Sequence, residues 1–236
     1  MIKLEDFFNQ LAHGEFISID LGSEGCKGIS VDDYPMIAVQ INLGLTELYK
    51  RFNLKMGKVA IQLYDEITDY KIHSMYAQSN TDSTESPKWI ADLGANPYTD
   101  DLLKIERVYN EIGCELSLND PSDCKTINTP EYDVIQCSYP YDENTLLVRY
   151  RAAPMPIPTK GLNPENVYVP IPPSLTEALL WYVAGRVMTN LNLAGDIGEG
   201  NNYTMKFEQS VQRVQQLGLI NTDKATNLKP ELRSWV

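Results

Sequence analysis

The sequence predicts an α+β protein: an antiparallel helical bundle carrying an inserted β-rich lobe, a small sandwich or barrel, and an extended C-terminal arm. Apolar residues recur at three- and four-residue steps near both ends of the chain, and at steps near two between about Lys58 and Ala153. A further observation is PSLTEALLWYVAGRV, residues 173–187, in which Ala178 to Gly185 hold no strongly polar side chain. That run exceeds two helical turns, so the helix is apolar all round and needs cover on every side. The boundaries implied are a bundle over 1–57 and 170–219, an insert with its proline-rich connection over 58–169, and an arm over 220–236.

Taken in order, LEDFFNQL reads as a short amphipathic helix. Asp32 and Asp33 before Tyr34 and Pro35 supply an acidic N-cap and a proline where no backbone donor is needed. Ile37, Ile41, Leu45, Leu48 and Phe52 then keep helical spacing, with Lys50 and Arg51 near the negative C-terminal pole.

From Lys58 the pattern turns to strands. KVAIQLY and TDYKIHSMY, on either side of Asp65 and Glu66, read as a hairpin. KWIADL, LLKIERVY, CELSL, EYDVIQCSY and TLLVRYRAA read as five further strands, separated by turn-forming pieces such as GANPYTDD, NDPSD and PYDEN. Gln78 to Pro87 is polar and is expected to be a mobile surface loop.

After the prolines of APMPIPTKGLNPENVYVPIPP, Ser174 and Glu177 form an S-x-x-E capping box, which predicts a helix to about Asn192. The glycine-rich AGDIGEGNN turns the chain. YTMKFEQSVQRVQQLGL makes a partner helix with Phe207, Val211, Val214 and Leu217 on one face. The tail is mostly polar and broken by Pro230, yet ends in Trp235 and Val236; it is expected to order only on assembly.

Several functions are disfavoured by the residues present. A net charge of −12 opposes wrapping a nucleic acid. The apolar run of 173–187 is shorter than the roughly 20 residues that cross a bilayer, and MIKLEDFFNQ lacks signal-peptide character. Cys26, Cys114, Cys124 and Cys137 are too sparse for a disulfide framework and show no C-x-x-C spacing, so free thiols and no zinc are expected. His13, in a turn-like run, and His73, in a strand-like one, have no suggested partner. GSEGCKG and GDIGEG do not match a phosphate-binding fingerprint. Asn202-Tyr203-Thr204 matches a glycosylation sequon that has no secretion signal beside it. The expectation is a protein without catalytic, cofactor or metal residues.

Assembly is then the function the apolar helix suggests. One side of it can face the other helices. The opposite side, near Leu180, Ala184, Val187 and Met188, can face the β-lobe or a second copy of the subunit, with Trp235 and Val236 as further interface candidates.

The segments ELYKRFNLK, VYNEIGCELSLND, LLVRYRAAP, VYVPIPPSLTEALLWYVAGRV and YTMKFEQSVQRVQQLGL together resemble the head-to-tail adaptor proteins of short-tailed bacteriophages, and in style the neck ring proteins of crAss-like phages. The resemblance spans nearly the whole chain and is most specific from Leu146 to Leu217. It implies a structural virion protein of the neck, assembled in the host cytoplasm. Such a protein forms a ring of twelve copies beneath the portal protein, extends the DNA channel without reading sequence, and docks the next tail component. The alternatives are an intracellular enzyme with an unrecognised site, and a tail-tube or fibre-attachment protein.

Overall fold

The computed structural model describes residues 1–16, 29–138, 144–190 and 197–220. In chain order come β1 (Ile2–Lys3), α1 (Leu4–His13) and α2 (Tyr34–Arg51). The strands β2 (Met56–Gln62), β3 (Asp69–Lys71), β4 (Ile90–Ala91), β5 (Leu102–Tyr109), β6 (Glu115–Leu116), β7 (Ile127–Asn128), β8 (Val134–Cys137) and β9 (Thr145–Ala152) follow. Among the described residues β10 (Tyr168–Val169), α3 (Thr176–Asn190) and α4 (Ile197–Gln216) come last. The fold is α+β, and it separates into one compact unit built on Met1–Leu54 and Pro154–Thr222 and another built on Lys55–Ala153.

In the first unit, α1 buries Leu4, Phe7, Phe8 and Leu11 at helical spacing, while Glu5 and Asp6 complement its N-terminal pole. The entry to α2 differs from the expected aspartate cap. Ser30 Oγ accepts a bond from the Asp32 N–H and opens a 3-10 turn over Val31–Asp33, and Asp33 caps nothing with its side chain. The last residue of that turn already has helical backbone angles, so its carboxylate is not aimed at the free N–H groups. The expected capping box is likewise replaced: Ser174 lies inside a 3-10 turn, Pro173–Leu175, that leads into α3 at Thr176.

The proline-rich approach is tied to α2. The side chain of Asn42 donates to Ile157 O at 2.9 Å and accepts from Ile157 N–H at 2.8 Å, and the Tyr49 hydroxyl donates to Pro170 O at 2.6 Å. An extended proline segment leaves carbonyls unused, and polar side chains on one helix face satisfy some of them. Beyond it β10 pairs antiparallel with β1. At the end of the unit, α4 begins at Ile197, so part of the glycine-rich stretch expected to turn is helical. Phe207, Val211 and Val214 are buried as expected, but Leu217 is 60 % exposed because α4 has already ended and Gly218 takes a positive φ of 61°.

In the second unit a five-stranded antiparallel sheet runs β4-β2-β9-β5-β6 and a three-stranded one runs β3-β8-β7. One apolar core draws on both: Val59, Ile61, Val148 and Tyr150 from the larger sheet, Tyr70, Ile127 and Ile135 from the smaller. The expected hairpin of KVAIQLY with TDYKIHSMY does not form. β2 pairs with β9 and β4, and β3 pairs with β8. Between them Glu66 takes a positive φ of 71°, and the Tyr70 hydroxyl bonds both the N–H and the carbonyl of Tyr64, carrying the chain from one sheet to the other. The 78–87 segment is anchored at its start, since Ser79 N–H and Oγ both bond Asp92 and the Asn80 side chain bonds Ser74 O.

Candidate assembly surface

The all-round apolar helix is largely covered by its own chain. Ala178, Leu179, Val183, Ala184 and Val187 have no exposed area, whereas Leu180 and Met188 are half-buried. Ala184 and Val187 are therefore core positions of the chain itself, and the expected interface on this face contracts to Leu180 and Met188. Trp235 and Val236, with the arm they end, lie outside the described residues.

The helices meet closely because one position has no side chain. A Cβ on Gly44 of α2 would sit 2.6 Å from Leu179 Cδ1 and 2.8 Å from Tyr182 Cδ1, so glycine permits this approach of α2 to α3. Around that crossing Arg51 reaches α4, with its two terminal nitrogens 2.6 and 2.8 Å from the carboxylate oxygens of Glu208. Its Nε donates to Glu47 at 2.9 Å, and its guanidinium lies 5.1 Å from the centre of the Phe207 ring. The bonds to Glu208 hold Arg51 above its ordinary value, and reciprocally Arg51 lowers Glu208. Sequence reading assigned Arg51 only to the helix pole, because its partner lies 157 residues away.

Two surface features flank α3. On one side Trp181 stands 5.8 Å from Tyr203, with Lys206 Nζ 4.4 Å from the indole and 5.1 Å from the phenol ring. Trp181 borders a cleft of about 340 Å³ whose walls include Arg186 and Thr189. On the other side Leu180 lines a groove of about 660 Å³ together with Tyr168, Ile171 and Met1. A half-buried tryptophan beside a cation, and a half-buried leucine in a groove that mixes apolar residues with Lys3, Asp6, Gln10 and Glu177, are the kinds of feature found at protein interfaces. The sequence signal for the tryptophan cluster was faint, because Trp181 and Lys206 meet only once α3 and α4 pack.

The residues considered for chemistry are dispersed. His13 is the exposed last residue of α1, not part of a turn, and His73 uses Nδ1 to accept the Met75 N–H at 3.2 Å, capping a 3-10 turn. Cys114, Cys124 and Cys137 are free thiols; Cys26 lies outside the described residues. Among the described residues no group of His, Cys, Asp and Glu is placed to hold a metal ion, and no helix is long and apolar enough to cross a membrane.

A cleft of the β unit, about 700 Å³, contains a tyrosine–aspartate–lysine chain. Tyr150 donates to Asp101 at 2.7 Å, and Asp101 accepts from Lys55 at 2.6 Å. Burial, reinforced by Asp101, pushes the Tyr150 phenol above its ordinary value, and burial does the same to Tyr98, packed edge-on against it. Both phenols therefore stay protonated at neutral pH, and the bond to Asp101 fixes the position of the Tyr150 ring.

No family model matches the sequence, and a search of curated proteins returns no match.

Proposed function

We propose that the chain is a structural ring protein of the phage neck, a head-to-tail adaptor that assembles beneath a portal. The observation that carries this is the surface of α3, where Leu180, Trp181 and Met188 remain half-buried, Leu180 and Trp181 each beside an open groove, on a helix whose Ala178, Leu179, Val183, Ala184 and Val187 are fully enclosed. Half-covered apolar side chains on a rigid helical unit gain stability when a second protein surface completes their cover.

In this proposal α2, α3 and α4 act as the antiparallel bundle of each subunit and supply the contacts between neighbours in a ring of twelve. The β unit, read as a two-sheet sandwich because both sheets share one core, supplies a further surface for contact with neighbouring subunits. The ring sits in the virion neck and leaves a channel through which DNA passes. The acidic composition suits that passage, since a surface rich in carboxylates holds a polyphosphate only weakly. The arm of 220–236 is proposed to reach a neighbour or the portal.

The experiment is sedimentation of the purified protein, alone and with its portal protein. A species of many subunits, or comigration with the portal, supports the proposal; a monomer or dimer under both conditions refutes it.

A further inference from the structure

A separate cleft in the β unit has the construction of a ligand site. It measures about 500 Å³, within the usual range for small-molecule pockets, and opens where β6, β7, β8 and β9 converge. Its floor is formed by Leu63, Ile127, Cys137 and Leu146, each at most 8 % exposed and each a member of the apolar core, with Leu116 packed against them. The cleft therefore leads from the surface to the core.

The chemistry of the floor selects what can lie there. Leu63 N–H donates to Asn144 O at 2.8 Å, Ile127 N–H to Ser117 O at 2.9 Å and Cys137 N–H to Thr68 O at 2.8 Å, so these three floor donors are already engaged. Asn110, Ser138, Asn144 and Thr145 also line the cleft, and of these Asn110 accepts from Cys114 N–H at 2.8 Å and Thr145 donates to Gln62 at 3.2 Å. Against the floor itself a polar ligand would give up its water without a free N–H from those three residues to replace it. At the mouth the exposed Glu111 and Lys125 have opposite signs, and together they favour neither an anion nor a cation.

We propose that this cleft binds a small uncharged apolar molecule, the size of an aromatic ring or a short alkyl chain, seated against Ile127, Cys137 and Leu146. The test is methyl NMR of the full chain titrated with toluene and, in parallel, with benzoate, which has a similar ring but carries a charge. Toluene is expected to give saturable shifts at the methyls of Leu63, Leu116, Ile127 and Leu146, several-fold larger than at Leu93 and Ile112, which are 74 % and 75 % exposed. It should also slow alkylation of Cys137 at least tenfold when the other three cysteines are replaced by serine. Benzoate is expected to bind at least tenfold more weakly. Leu116→Trp, which fills the cleft, should abolish the toluene shifts. Shifts that do not saturate, or that are as large at Leu93 and Ile112, would overturn the site; equal binding of benzoate would overturn the apolar class of ligand.

Discussion

The Tyr150 ring lies across Gly57, its direct partner on the neighbouring strand, so that a Cβ at Gly57 would collide with the ring's Cζ. Tyr150 is 4 % exposed and its hydroxyl is held by Asp101, so the ring has little freedom to give way. Gly57→Ala should destabilise the β unit by about 2–3 kcal/mol, as overpacked cores do. Urea unfolding followed by tyrosine fluorescence measures it; an unchanged midpoint would mean that the ring moves freely.

The Arg51–Glu208 pair should be modest in energy and sensitive to acid. Its side chains are 29 % and 43 % exposed, so a double-mutant cycle with Arg51→Ala and Glu208→Ala should return a coupling of about 0.5–1 kcal/mol. Arg51 lowers the folded-state value of Glu208, while unfolding restores it to about 4.3. The unfolded chain therefore binds more protons between the two values, and stability there rises with pH. The coupling should be complete above about pH 5 and should fade as pH falls through the depressed folded value. A coupling that grows on acidification would contradict the pairing.

Asp92 should be the main fastener of the 78–87 segment. Burial works against its charge, but the Ser79 hydroxyl and the N–H groups of Tyr98 and Ser79 outweigh it and lower its value. Asp92→Ala leaves those donors without their acceptor and should cost about 1.5–3 kcal/mol. Hydrogen exchange should show faster amides at Ser79 and Tyr98, and unchanged protection would refute this role.

Neighbouring positions on α3 should separate assembly from folding. Ala184 is fully enclosed, so Ala184→Asp should unfold the helical unit or cost at least about 3 kcal/mol. Leu180 lines an open groove, so Leu180→Asp should cost under about 1.5 kcal/mol in the isolated chain, since its charge can stay in water, while weakening self-association. Thermal melts and sedimentation velocity distinguish the two effects.

The parts of the fold legible in the sequence are those decided by local periodicity. The 34–52 spacing marks α2, because that helix buries one face along its whole length. LLKIERVY corresponds to β5 from Leu102 to Tyr109, although two register shifts against β9 break strict alternation and leave Leu102, Ile105, Val108 and Tyr109 buried. Partner choice was not legible. TDYKIHSMY follows KVAIQLY after a short turn, yet β3 pairs with β8, more than 60 residues away. Once Tyr70 engages Tyr64, the chain leaves the plane of the first strand. β7, only Ile127–Asn128, is too short to carry a period. At the candidate surface the apolar run was visible, but its depth of burial was not. Leu180 and Ala184 look equally available as residues, and only the packed positions of the other elements place one in a groove and the other in the core.

Electron microscopy of the purified protein, alone and mixed with its portal protein, tests the proposed function most directly. The account predicts closed rings of about twelve copies, or a discrete added layer of density beneath the portal, disrupted by Leu180→Asp with the subunit still folded. Isolated single subunits in the first sample, together with portals that carry no added layer in the second, would contradict it.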